Sequence, residues 1–417
     1  MMKWVAFCSL FLLTAFSSYG QSSFNITGTI KDKAGITIPG AGVYLSSYKT
    51  ATVSNNDGQF ILTNLKPGNY DVLIEMMGYL PFSKNVIISD KSVKIDVQLK
   101  ENAVQLREVV IKADPDRDKY IKQFIDQFIG MTPNAEKCKL LNPQVLQADF
   151  DRAAKRLTVT SNEFLIIENK SLGYRIKYLL EYFERDLKSN VVYYAGHPYF
   201  EELPGSKSKK KEWIRNREIA YQGSSQHFFR SLYQNSSVAE GFVIYKLAEI
   251  PNKNRLPDSL INAHLKAFRQ PGNHIIRIGT GSGGSSPLSD SVNYWLKQRA
   301  VPKKISVLNR SEILTDTLVK SMYTDLRTLN FSDDLYVINT NERETPDYTD
   351  HSGHAINRPL DIPNYQISVI HLLEAPLHLY VNGGVLNAKA ALFSGFWAYE
   401  KMADTVPMDY IPITPKK

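Results

Sequence analysis

Residues 52–79 read TVSNNDGQFILTNLKPGNYDVLIEMMGY. Phe60 and Leu62, then Tyr70, Val72 and Ile74, fall on alternate positions, the period of a strand with one buried face. Turn signals separate these runs. Asp57-Gly58 offers the positive φ that a tight hairpin needs, and Pro67-Gly68 suits a turn between strands. Working outward, residues 26–30 and 43–45 read as strands on either side of a loop at 31–40. Residues 86–88 and the alternating Val93, Ile95, Val97 and Leu99 supply two more. Short strands with a turn signal every 8 to 12 residues or so predict a β-sandwich.

The order of these signatures resembles a known family. GTIKDKAGITIPGAGVYL at 28–45, followed by the stretch quoted above, is similar to the carboxypeptidase regulatory-like domain, a transthyretin-like sandwich. Gly28, Asp32, Gly35, Pro39-Gly40-Ala41, Asp57-Gly58, Phe60, Gly68, Tyr70 and Gly78-Tyr79 stand where that pattern wants them. The resemblance covers roughly a fifth of the chain, and it is the combined spacing that makes it specific. It implies an accessory module without catalytic residues, of the kind found at the N-terminus of exported and outer-membrane proteins of Bacteroidetes-type bacteria, TonB-dependent transporters included. A calcium loop at Asn55-Asn56-Asp57-Gly58 is the competing reading of the turn. An EF-hand puts Gly at its sixth position, which would place Val53 at the first, and Val53 cannot ligate. A turn is the expectation.

The chain begins MMKWVAFCSLFLLTAFSSYGQ: one Lys, an apolar run, then small residues near Gly20. That run is too short to span a bilayer and reads as an export signal over residues 1–21. No later stretch is long and apolar enough for a transmembrane helix. Removal of the signal would take Cys8 and leave Cys138, so no internal disulfide is expected and the fold must rest on its core. The 417 residues, 43% hydrophobic and 22% charged, suffice for two or three domains. The expected division is a leader at 1–21, the sandwich at 22–112 and a further domain at 113–417. A net charge of +8 favours acidic surfaces such as anionic lipid or glycan over nucleic acid, which an exported chain does not meet.

After the sandwich, LREVVI at 106–111 is similar to the segment that leads such transporters into a plug and barrel. The following 300 or so residues lack the repeated alternating segments of about ten residues that a barrel needs. Instead, Asp114-Pro115 marks a helix start, and Tyr120, Ile121, Phe124, Ile125, Phe128 and Ile129 form one apolar stripe. Strands are expected at 157–159, 164–167, 174–180 and 191–194. The fold class is therefore mainly β with α: a transthyretin-like sandwich followed by a mixed α+β domain.

GSKSKKKEWIRNREIAYQGSSQHFFRSLYQN, at 205–235, reads as two helices joined at Gly223, with Ser224 capping the second. Trp213, Arg217 and Tyr221 share a face of the first. His227 and Arg230 lie one turn apart on the second. With Arg215 these residues form the densest aromatic and basic cluster in the chain, the candidate surface for a sugar or a phosphate. A purely structural role, pinning two helices to a sheet, is the simpler reading of the same residues. Lys207–Lys211 reads as a solvated helix start.

Three apparent motifs fail on chemistry. His371-Leu372-Leu373-Glu374 has the His-x-x-Glu of a zinc carboxypeptidase, but it lies in strand-like sequence, where positions three apart face opposite ways. The only later His, His378, is too near to be the third ligand that a zinc site requires. His351 and His354 sit in a polar DHSGH loop, and GTGSGGSS at 279–286 lacks the Lys-Ser/Thr of a phosphate loop. No cofactor, metal or catalytic residue is expected. The function expected is that of a non-catalytic exported protein of the periplasm or outer-membrane face, attaching to envelope proteins through its sandwich. Binding of carbohydrate or lipopolysaccharide by the cluster, or a hydrolase with an unrecognised site, are the alternatives.

Overall fold

A computed structural model of the chain describes residues 23–102, 115–268, 287–323, 326–351 and 356–413. The leader at 1–21, the segment at 106–111, Asp114, the glycine-serine run at 279–286 and His354 lie outside the described residues, as does the side chain of His351. The fold is mainly β, with several antiparallel sheets, as the sequence predicts.

The first body holds β1 (Phe24–Lys31), β2 (Gly42–Leu45), β3 (Ala51–Val53), β4 (Gln59–Leu65), β5 (Gly68–Glu75), β6 (Phe82–Ile88) and β7 (Val93–Gln98). They form two sheets, ordered β4-β1-β7 and β3-β2-β5-β6. Alternation along each strand sends Ile26, Ile30, Leu62, Val43, Val72, Ile74 and Val97 into one core, whose described members all fall within residues 24–99.

The two turn signals do make turns, but neither closes a hairpin within one sheet. Asn55 Oδ1 accepts hydrogen bonds from the Asp57 and Gln59 N–H groups (3.0 and 2.8 Å), and Gly58 takes φ +71°. The turn then carries the chain from β3 across to β4 in the opposite sheet, and the Pro67-Gly68 turn returns it to β5. Turn chemistry is local, whereas strand partners follow from which faces must be buried together.

In the second body, β8 (Cys138–Leu140), β9 (Leu146–Asp151), β10 (Arg156–Ser161), β11 (Leu165–Asn169), β12 (Tyr174–Asp186) and β13 (Val191–Glu202) make a six-stranded sheet organised on the long β12. One edge of β12 pairs β11 through its first half and β10 through its second, and β13 runs along the other edge. Helix α1 (Arg117–Phe128) lays Tyr120, Ile121, Phe124 and Phe128 on this sheet, the stripe read from the sequence. It starts at Arg117, with Pro115 in the preceding turn rather than as its first residue.

Beyond it, β14 (Phe242–Pro251), β15 (Lys304–Asn309), β16 (Val319–Tyr323), β17 (Leu326–Leu329), β18 (Asp334–Arg343), β19 (Tyr365–Leu372), β20 (Leu377–Tyr380) and β21 (Ala391–Gly395) build two more sheets, ordered β15-β14-β18-β19-β21 and β16-β17-β20. Helices α2 (Lys207–Tyr221) and α3 (Ser225–Gln234) link the halves of this body. Ser206 and Ser224 cap them, each accepting from the N–H three residues on, and Gly223 turns between them at φ +78°. Phe228, Phe229 and Leu232 of α3 enter the core shared by the two later sheets.

The sandwich is fastened to the second body by main-chain bonds. The turn between β2 and β3 lies against β13 and the C-terminal segment: Ser47 N–H donates to Pro198 O (2.5 Å), Phe200 N–H to Tyr48 O (3.1 Å) and Met408 N–H to Ser47 O (2.7 Å). Beside it Lys177 Nζ donates to Glu75 Oε2 (2.6 Å) and Tyr44 Oη (2.9 Å), and the Tyr44 ring lies 4.5 Å from that of Tyr199. Leu73 faces the opposite way from Val72 and Ile74 yet is equally buried, because this side of the sheet is also covered.

Candidate functional site

The structure divides the aromatic and basic cluster read from the sequence. Trp213 is buried, with its indole ring lodged against Gly173 and Gly205 and its Nε1–H donating to Lys170 O (3.0 Å). A side chain at either glycine would overlap the ring, since a Cβ at position 173 would lie 2.1 Å from Trp213 Cδ2. Arg217 is buried too. Its guanidinium donates to Leu172 O (2.7 Å), Gly173 O (3.2 Å) and Glu202 Oε1 (3.1 Å), and it stands 3.9 Å over the Tyr174 ring. These two residues clamp the turn between β11 and β12. Arg215 and the lysines of the first turn of α2 are exposed and belong to no shared site.

The other three converge. Tyr221, His227 and Arg230 line a cleft of about 850 Å³ between α2, α3 and the sandwich. Arg230 donates to Tyr221 Oη (3.3 Å) and to the carbonyls of Tyr410 (3.0 Å), Met408 (3.2 Å) and Asn382 (3.3 Å), so it holds the C-terminal segment in place. His227 stacks on Tyr221, with ring centroids 4.9 Å apart. Its Nδ1 accepts from the Gly223 N–H (3.1 Å), which leaves a proton on Nε2 to donate to Glu240 Oε2 at 2.5 Å. Burial alone would raise the Glu240 carboxyl. The hydrogen bonds from His227 and Ser236 outweigh it and hold the group below the usual carboxylate range.

The opposite wall comes from the sandwich: Tyr48 and Thr50 from the turn after β2, and residues 64–70 around the β4–β5 turn. Tyr380, Asn382 and Tyr410 close the end. Tyr48 Oη accepts from Asn382 Nδ2 (2.7 Å), and burial pushes its hydroxyl well above the ordinary tyrosine range. Tyr410 Oη donates to Glu218 Oε2 (2.6 Å). The lining is thus aromatic and amide-rich, and two of its charged side chains, Arg230 and Glu240, are held by partners within the protein. None of Tyr48, Tyr380, Asn382, Tyr410 or Glu240 is marked by a local sequence pattern, since they come from distant segments of the chain.

His371 and Glu374 do not combine. His371 bonds Asp334 and Ser394 on the neighbouring strands (2.8 and 2.9 Å), whereas Glu374 Oε2 accepts from Asn387 Nδ2 (2.7 Å). His378 lies on β20, in another sheet. Among the described residues no three His, Cys, Asp or Glu side chains are grouped to hold a metal ion.

With this geometry in view, comparison with known proteins identifies the first body. Residues 26–111 match the family model described as CarboxypepD_reg-like domain. This part of the chain is a CarboxypepD_reg-like domain. It is the regulatory-like unit, not the catalytic unit of a carboxypeptidase. A TonB-dependent receptor, P39 of Formosa agariphila, is 36% identical over 104 residues, covering 24% of this chain and 10% of the receptor. The chain thus spans about a tenth of the length of that relative. Solved structures with local likeness include a type II cohesin–X-dockerin complex from Acetivibrio cellulolyticus (20% identity, 19% of this chain and 58% of that one, TM-score 0.17). Catechol 1,2-dioxygenase from Acinetobacter sp. ADP1 is another (10% identity, 24% and 59% covered, TM-score 0.19). Scores this low carry no argument about activity.

Proposed function

We propose that this is a binding protein of the cell envelope, in which the CarboxypepD_reg-like domain forms one fixed wall of a cleft for a neutral oligosaccharide. The observation that carries the reading is the lining of the junction cleft, where tyrosine rings from both bodies stand among amide side chains. Flat aromatic rings stack on the apolar faces of sugars, and amides and hydroxyls match their hydroxyl groups. A phosphorylated or acidic ligand fits less well. Arg230 is spent on four acceptors within the protein, the exposed lysines of α2 lie outside the cleft, and among the described residues the lining holds a single lysine, Lys66. The similarity of the N-terminal domain to that of a TonB-dependent receptor supports an envelope setting at the outer membrane.

Calorimetric titration of the full chain with neutral and acidic oligosaccharides of four to six sugars tests the reading. A neutral oligosaccharide should bind. Tyr380→Ala should weaken it about tenfold, the loss of roughly 1.4 kcal/mol from one ring contact. Joint replacement of Lys209, Lys210 and Lys211 by Ala should leave binding unchanged. Binding of acidic sugars alone, abolished by the triple lysine change, would move the site to the exposed face of α2 and overturn the proposal.

A further inference from the structure

Away from the cleft, three strands of the five-stranded sheet carry a row of side chains that neither the domain family nor the cleft explains. Asp334 opens β18, His371 stands opposite it near the end of β19, and Ser394 is the penultimate residue of β21. His371 Nδ1 lies 2.8 Å from Asp334 Oδ2, and His371 Nε2 lies 2.9 Å from Ser394 Oγ. The chemistry of the groups sets the direction of the first bond, and for a neutral imidazole that of the second. A carboxylate only accepts, so Nδ1 carries a proton; in the neutral ring Nε2 is then a lone pair that accepts from the serine hydroxyl. This is the tautomer in which a histidine serves as general base toward a serine. We propose that Ser394, His371 and Asp334 form a catalytic site for the hydrolysis of small carboxylic esters.

Two further observations favour a working nucleophile over a passive polar row. The first is the corner that follows Ser394. Gly395 adopts φ 77°, ψ −141°, and a Cβ there would lie 2.4 Å from Ile367 O, so the strand can turn this sharply into the helical turn at Phe396–Tyr399 only through glycine. Hydrolases of the α/β type seat the nucleophilic serine on such a corner; here Ser394 is the strand residue immediately before it. Here the flanking glycine pattern of that motif is missing, which is why the sequence alone does not show it. The second is access. The side chains of His371 and Asp334 are 30% and 24% exposed, so the row opens to solvent. The adjacent row on the same face is apolar, with Val369 paired to Ser394 and Tyr336 paired to Val369. Val369 and Tyr336 are themselves buried in an apolar cluster, so an ester reaches the row from the open side at His371 and Asp334.

In the reaction, Ser394 Oγ forms a bond to the ester carbonyl carbon while its proton passes to His371 Nε2, and Asp334 holds the resulting imidazolium at Nδ1. The tetrahedral adduct collapses with cleavage of the ester C–O bond, and His371 returns the proton to the departing alcohol. Water then attacks the acyl-serine, giving its proton to His371. Release of the carboxylic acid restores the Ser394 hydroxyl.

The test is labelling of the folded full chain with a fluorophosphonate probe, with the adduct located by mass spectrometry, alongside turnover of p-nitrophenyl butyrate. Wild type should carry one adduct, on Ser394. Ser394→Ala should lose both labelling and turnover, and Asp334→Asn should lower turnover a hundredfold or more while melting within a few degrees of wild type. Folded wild-type protein that takes no adduct at Ser394 would overturn the assignment and leave the row as a cross-strand hydrogen-bond ladder; this outcome needs no variant to fold.

Discussion

At the scale of single residues, tertiary placement rather than residue type separates structural from binding roles. Trp213 and Arg217 look alike in sequence to Tyr221 and Arg230, yet the first pair is walled in by Gly173, Gly205 and Tyr174 and the second faces the cleft. Replacing Trp213 by Ala should therefore cost about 3–5 kcal/mol in chemical denaturation, because the cavity between two glycine-lined segments cannot collapse. A Trp213→Ala protein as stable as wild type would contradict this placement. Two carboxyls near the C-terminus, half-buried Glu400 and buried Asp404, make a second residue-scale prediction. Burial raises Glu400 well above the usual carboxylate range, with the charges of Asp404 and Glu342 adding to it. Burial raises Asp404 as well, against hydrogen bonds from Asn134, the Lys401 N–H and Thr132. A carboxyl whose folded value is raised contributes stability below its unfolded value near 4.3, and that contribution is lost as pH rises through the folded value. Glu400→Gln should thus raise the melting temperature at pH 7 and lose that advantage near pH 4. Melting curves across that range check it, and an equal effect at both pH values would be the contrary result.

At the scale of elements, periodicity in the sequence located strands and helices well and their partners poorly. The alternation from 60 to 74, the stripe of α1 and the Gly223-Ser224 joint all stand where the residues predict them. The turns at 55–58 and 67–68 join different sheets, since a turn signal says that the chain reverses but not which strand lies beside it. The same limit hid the Asp334, His371 and Ser394 row, whose members are 37 and 23 positions apart and meet only through strand pairing. One element did signal its tertiary surroundings. In β5 the run Val72-Leu73-Ile74 interrupts strict alternation, and all three side chains are fully buried. A continuous apolar run marks a strand covered on both faces. Leu73→Lys should therefore destabilise the full chain by about 3 kcal/mol through burial of an unpaired charge. In residues 22–112 alone, where that face is open, the same change should stay within about half a kcal/mol. Urea melts of the two proteins distinguish the cases, and equal losses in both would show that the second body does not cover Leu73.

At the scale of the whole molecule, the sandwich and the rest of the chain have separate cores and share a junction of main-chain hydrogen bonds, the Lys177–Glu75 pair and packed aromatic and apolar side chains. Among the described residues the sandwich core draws on none beyond 99, so residues 22–112 alone should give a soluble protein with a β-type circular dichroism spectrum. A random-coil spectrum would place the boundary elsewhere. Within the full chain the sandwich does more than fold beside its neighbour, because Tyr48 and the β4–β5 turn complete a cleft that α2, α3 and the C-terminal segment leave open. The cleft exists only if the junction is fixed. Amide hydrogen exchange, compared between the full chain and residues 22–112, tests that claim most directly. The amides of Ser47, Phe200 and Met408, each donating across the junction, should be protected in the full chain, and Ser47 should exchange at loop rates once the sandwich is alone. Loop-rate exchange of all three in the full chain would contradict the account, because the wall that Tyr48 supplies would then come and go.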